Sequence, residues 1–302
     1  MESTAASSPE PGSDESIHGW MDQISVHNLM GTVFTLSSLP TRHVNSLTIH
    51  EAAQMIYDTF VAAGGNLQVT TDEFPLAWNG TATTQQNVIA TLPGTDPTAG
   101  IVLIGAHYDS RTADLNDAAS PAPGANDNAS GVAIMLEVAR VLASETPRAT
   151  IVFAAFSAEE VGREGSKHYV EAEQARGDDI RAVIVFDIVG NNAGPLGEGS
   201  VRVFSADPPD SPSRQLAYSF EEQGERFVPG LDIQVQPTVD RPGRYSDHMS
   251  FSEVGIPAVR LIEPLEDSGR QHSTFDTPDA ISGDYMRAVA QAVLALMGSL
   301  AW

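Results

Sequence analysis

The stretch Ile101–Ile104, IVLI, is apolar at every position, and it limits the fold more than any other segment. Side chains alternate along a strand, so a run with no polar side has both faces covered. The cover is helical: IVLIGA leads through a long polar loop into Ser130–Ala143, where apolar residues recur at helical spacing. The same alternation returns down the chain. Strands are expected at Thr150–Phe156, Ile180–Asp187, Ser200–Ser205 and Ala258–Ile262, and helices at Gly165–Ala175, Ser211–Gln223 and Ile281–Met297. This order specifies an α/β chain, a three-layer α/β/α domain with a mostly parallel mixed central sheet.

Upstream, Ile17, Trp20, Met21, Ile24, Leu29, Val33 and Phe34 predict one helix over Ile17–Ser38, stopped by Pro40. A second helix over Leu47–Ala63 closes at Gly64 and Gly65. Leu67–Phe74 and Gln86–Leu92 read as strands flanking a turn around Asn79 and Gly80. Residues 1–16, MESTAASSPEPGSDES, are rich in Ser, Pro and acid, which predicts a disordered leader before a single domain over 17–302. The leader resembles the linker that follows a signal or anchor. An exported protein, periplasmic or secreted, is therefore expected, with a cytoplasmic one as the alternative.

With 16 basic against 40 acidic residues the formal net charge is -24, which argues against nucleic acid and anionic membrane surfaces as partners. No apolar run approaches the ~20 residues of a membrane span. The chain has no cysteine, so any metal is held by His, Asp and Glu.

In open α/β sheets, ligands gather where loops converge at the carboxyl ends of the strands. His107 and Asp109 follow IVLIGA, Glu159 and Glu160 follow TIVFAAFSA, and Asp187 ends IRAVIVFD. Each has a plain explanation when taken singly. A His or Asp after a strand forms turns, Asp127 within GANDNASG suits the turn before a helix, and paired glutamates suit a helix start. Asp187 resists this, because a carboxylate ending a buried strand needs a partner. Their coincidence at the strand ends of one chain points to a single site.

The ordered motifs AHYDS, GANDNASG, AEE, FDIVG, RYSDHMSF and HSTFDT resemble those of the co-catalytic zinc aminopeptidases, a superfamily that also holds glutamate carboxypeptidase-like and glutaminyl cyclase-like members. The resemblance covers about Ile101–Asp279 and implies the zinc-exopeptidase, phosphorylase/hydrolase-like fold. It also implies that His107, Asp127, Glu160, Asp187 and His272 bind two zinc ions. Asp127 would bridge, with His107 and Asp187 on one ion and Glu160 and His272 on the other; manganese or cobalt also suits these donors. Glu159 is then the general base, and Asp109 fixes the ring of His107. The three ligand carboxylates and a bridging hydroxide nearly neutralise two divalent ions, as a partly buried site requires.

The activity implied is removal of N-terminal residues from peptides. Two alternatives stand beside it: a carboxypeptidase of the glutamate carboxypeptidase type, and a glutaminyl cyclase-like transferase with one zinc. A carboxypeptidase needs a cation for the terminal carboxylate, and Arg111, Arg163, Arg241, Arg244 and Arg270 lie near the motifs.

Further residues have two readings each. Tyr245 donates to an oxyanion or packs on its loop, and Asp247 and His248 support the site unless Asp247 caps a short helix at His248–Glu253. Relatives often carry Tyr just before the last ligand, where this chain has Gln271, which leaves Tyr245 as the substitute donor. Asp276 braces His272 or caps a turn. His18, His27, His43, His50 and His168 read as surface or packing residues. The loops over 111–123 and 191–198 shape the substrate pocket.

Overall fold

The computed structural model describes residues 10–192, 199–205, 208, 210–238, 240 and 245–302, and among these eight strands form one sheet. Helices α1 (Asp14–Met21), α2 (Val26–Ser37) and α3 (Thr48–Ala63) precede the hairpin of β1 (Gln68–Trp78) and β2 (Thr81–Leu92). Next come β3 (Ile101–His107), α4 (Ser130–Leu142), β4 (Thr150–Phe156), α5 (Glu164–Arg176), β5 (Ile180–Phe186) and β6 (Ser200–Ser205). The chain finishes with α6 (Pro212–Phe227), β7 (Asp232–Val235), α7 (His248–Ser252), β8 (Ala258–Ile262) and α8 (Gly283–Ala301).

The strand order is β1-β2-β4-β3-β5-β8-β6-β7. The central four, β4, β3, β5 and β8, are parallel, while the β1–β2, β2–β4 and β6–β8 pairs are antiparallel. Alternation along β3 feeds two cores. Val102, Ile104 and Ala106 pack into the larger one, with residues of α2, α4, α6 and α8. Leu103 enters a second core on the opposite face, beside Tyr169 and Val170 of α5 and Phe251 of α7. Each buried Val, Leu or Ile among them contributes about 1.5–3 kcal/mol, which is why the strand has no polar face.

The helix expected over Ile17–Ser38 is two helices. Ser25 caps α2 by accepting the N–H of Asn28, and the buried Glu137 of α4 accepts hydrogen bonds from the N–H of Ser25 and from Asn28 Nδ2. A continuous helix would leave that buried carboxylate without these donors, so the tertiary partner overrides the apolar spacing. Helix α1 begins at Asp14 with Ser13 as its cap, and so reaches into the stretch expected to be disordered; residues 1–9 lie outside the described residues. Its anchor is Trp20, whose ring lies 4.6 Å from that of Trp302.

Both hairpin strands are longer than expected, because pairing continues from Gln68–Thr91 out to Trp78–Thr81. Asn79 and Gly80 take φ of 47° and 77°, the left-handed values a two-residue hairpin turn needs. Strand β7 was not anticipated; four residues are too few to show a period. No helix among the described residues is long and apolar enough to cross a membrane.

Candidate active site

Strand β3 lies between β4 and β5, so whatever leaves their carboxyl ends must meet. His107 is the last residue of β3, Glu159 and Glu160 follow β4, and Asp187 follows β5. Asp127 comes from the segment between β3 and α4, and His272 from the loop between β8 and α8. Left-handed backbone aims these groups inward: φ is 61° at Ala158, just before Glu159, 63° at Ile188, just after Asp187, and 55° at His272 itself. Each costs on the order of 1–3 kcal/mol in a non-glycine residue, and such strain clusters where geometry serves chemistry.

Asp127 is the shared centre. His107 Nε2 lies 3.4 Å from Asp127 Oδ1 and 3.5 Å from Asp187 Oδ1. His272 Nε2 lies 3.0 Å from Asp127 Oδ2 and 3.2 Å from Glu160 Oε1. The outcome is two donor groups, His107–Asp127–Asp187 and Asp127–Glu160–His272, with ligand atoms within 4.8 Å of one another in each. The five residues named from the sequence are all brought together, in that same grouping.

The charges suit a cation. Burial pushes the Asp127 carboxyl up, but bonds from His107 and His272 outweigh it and hold the group well below the usual range. Burial likewise pushes both histidines down, yet the surrounding carboxylates hold His107 well above its ordinary value and lift His272 to about 10. Glu160 Oε1 is buried with no donor but the His272 ring near it, 3.2 Å away. A divalent ion fits this donor set, because it satisfies the same carboxylates and leaves the imidazoles neutral as ligands. Glu159, beside Glu160, is 9% exposed, and burial together with Asp187, Glu160 and Asp247 raises its carboxyl well above the ordinary value against the pull of His107.

Several residues hold the donors in place. Asp109 lies 3.5 Å from His107 Nδ1, a charge contact rather than a hydrogen bond, and accepts the backbone N–H groups of Glu159 and Glu160 at 3.0 and 3.1 Å. It therefore couples the ends of β3 and β4, a task the sequence did not suggest, while His107 Nδ1 itself makes no hydrogen bond. Asp276 neither contacts His272 nor caps its own turn; it accepts the N–H groups of Asn126 and Asp127 at 2.8 and 2.9 Å. Asn128 takes the N–H of Ile188 and gives Nδ2 to the Phe186 carbonyl, which ties Asp127 to Asp187.

Three supports escaped the sequence reading. Arg260, buried in the apolar run of β8, sets Nη2 3.1 Å from Asp187 Oδ2 and Nη1 against Asp240. A charged residue inside AVRLI was the available signal. Arg42 is fully buried and donates to the carbonyls of Leu36, Tyr108, Pro123 and Gly124, clamping both ends of the loop between His107 and Asp127. Glu263, at the end of β8, accepts from Asn126 Nδ2 and the N–H of Asn191.

A cavity of about 320 Å³ opens over the donors and is lined in part by Arg111, Arg163, Tyr245 and Gln271. Arg111 donates Nε to Glu160 Oε2 at 2.6 Å, and Gln271 donates Nε2 to Asp127 Oδ2 at 2.9 Å. Tyr245 faces the cavity, whereas Asp247 and His248 are buried behind it. Asp247 does not cap α7, and burial pushes its carboxyl up to about 7. Arg270 pairs with Asp279 outside this cavity, His43 bonds the Leu115 carbonyl, and His168 pairs with Asp72. Arg241 and Arg244 lie outside the described residues.

A three-layer fold with such donors at the carboxyl ends of its strands and a buried carboxylate, Glu159, beside them suits a metal-dependent hydrolase. Residues 87–297 match the model of peptidase family M28, and the chain belongs to that family. A probable zinc metalloprotease of Pyrenophora tritici-repentis is 31% identical, over 97% of this chain and 70% of that relative. Among solved structures, the LapA aminopeptidase of Legionella pneumophila superposes with a TM-score of 0.80 at 22% identity, covering 99% of this chain and 78% of that one. A glutaminyl cyclase of Bacteroides thetaiotaomicron gives 0.73 at 20% identity over 91% of this chain and 97% of that one, so the fold alone accommodates both chemistries.

Proposed function

We infer that the protein is a zinc aminopeptidase that binds two ions, one held by His107, Asp127 and Asp187 and the other by Asp127, Glu160 and His272. The observation that carries this reading is the pair of donor groups sharing Asp127, with Glu159 alongside. Zinc, when bound, lowers the pKa of a coordinated water to about 7 and polarises a carbonyl. Glu159 takes a proton from the attacking water and returns one to the leaving amine. Asp109 holds the Glu159–Glu160 turn while this happens, and Tyr245 supplies an O–H to the developing oxyanion from the cavity wall.

Likeness to an aminopeptidase structure supports the N-terminal reading, and the probable zinc metalloprotease relative supports the metal. The test is hydrolysis of leucyl p-nitroanilide and of an N-acetylated peptide, before and after chelation, together with metal content per chain. Chelator-sensitive turnover of the anilide is expected. Turnover of the blocked peptide alone would defeat the aminopeptidase reading, and one ion per chain would defeat the two-ion site.

A further inference from the structure

Apart from the acids and His272, the cavity presents Arg111, Arg163, Tyr245, Arg260 and Gln271, and no aliphatic side chain among the described residues. Its three guanidiniums are not equivalent. Arg260 sits among Asp187, Asp240 and Glu266. Arg111 is spent on Glu160 and on the Thr112 carbonyl. Arg163 differs: Nη2 meets Oε1 of Glu253, a surface acid, at 3.0 Å, while Nη1 is shielded from solvent with no hydrogen-bond acceptor. A carboxylate matches the guanidinium fork, and a substrate bearing one competes for it with the exposed side chain of Glu253.

Arg163 lines the cavity from the turn that carries Glu159. Gly162 and Arg163 both donate their backbone N–H to the carbonyl of Glu159, at 2.9 and 2.8 Å, so Arg163 rides on the same turn as the general base. Glu159 returns its proton to the leaving nitrogen, and the residue after the scissile bond lies on that side. We propose that Arg163 forms a carboxylate subsite for the residue following the scissile bond. The protein then selects peptides with an anionic leaving group: the terminal carboxylate of a dipeptide, or an acidic side chain in second position. This subsite rests on the aminopeptidase reading above.

Matched substrates of the metal-loaded protein test it. Leu-Ala against Leu-Ala-amide isolates the terminal carboxylate, and Leu-Glu-amide against Leu-Gln-amide isolates the side chain. In at least one pair, kcat/KM is expected to favour the acid by about tenfold or more. That ratio should fall toward one in Arg163→Leu and be partly kept in Arg163→Lys. Taking the ratio within one sample cancels any loss of folded protein. Wild-type ratios near one in both pairs, or ratios left unchanged by Arg163→Leu, overturn the subsite. Calorimetric binding of the four reduced-bond analogues reads the subsite without turnover. Acid-dependent binding that Arg163→Leu abolishes, in a protein that hydrolyses none of the peptides, supports the subsite and defeats the aminopeptidase reading instead. Equal binding of acid and neutral analogues overturns the subsite.

Discussion

Asp276 accepts the backbone N–H of Asp127 through Oδ2 at 2.9 Å, so the residue common to both donor groups is held from near the far end of the chain. A second bond, from Asn126 to Oδ1, fixes the same segment. Truncation to Asp276→Ala leaves two donors without their acceptor, at a cost of about 1–3 kcal/mol each if they stay buried. A loss of about 2 kcal/mol or more in urea unfolding is expected, with weaker zinc binding by competitive chelation. A variant as stable and as avid for zinc as the wild type would show that this tether does not shape the site.

Glu159→Gln keeps the shape of the side chain and removes its ability to carry a proton. Turnover is expected to fall by about 10²–10⁴-fold while metal content stays the same, because the donor atoms belong to other residues. Activity within a few-fold of wild type, with metal retained, would assign the base elsewhere.

Glu263 should make stability depend on pH. Burial pushes its carboxyl from the ordinary 4.5 up to about 8, against the bonds from Asn126 and Asn191. Between those values the folded chain holds a proton that the unfolded chain has lost, so stability falls as pH rises through that window. Unfolding of the wild type and of Glu263→Gln, compared at about pH 5 and about pH 9, should show the wild type losing ground at the higher pH. A difference that does not change with pH would mean that Glu263 titrates normally.

A chain of net charge -24 repels itself, and added salt should relieve that strain. The screening length shortens from about 10 Å at 0.1 M to about 3 Å at 1 M. A rise in Tm on the order of 5 °C across that range is expected by calorimetry. A flat or falling Tm would show that the acids are already neutralised locally, as those around Arg260 are.

What the sequence settled by itself are the matters governed by neighbours along the chain. The run IVLI demands cover on both faces, and β3 receives it. Strands β4, β6 and β8 begin and end where alternation and turn residues place them, since those cues lie within a few residues of each boundary. His107, Glu160 and Asp187 were legible because they stand at or just after strand ends, whereas Asp127 and His272 were named only through the order of the motifs. Only the tertiary structure decided the rest. The break between α1 and α2 depends on Glu137, and the clamp on the His107–Asp127 loop depends on Arg42. The partners of Asp276 and Arg260 were equally hidden, although both residues stand in plain view in the sequence. A buried charge announces that it needs a partner, but the partner's identity follows from which segments the sheet order brings together, and local sequence carries no record of that.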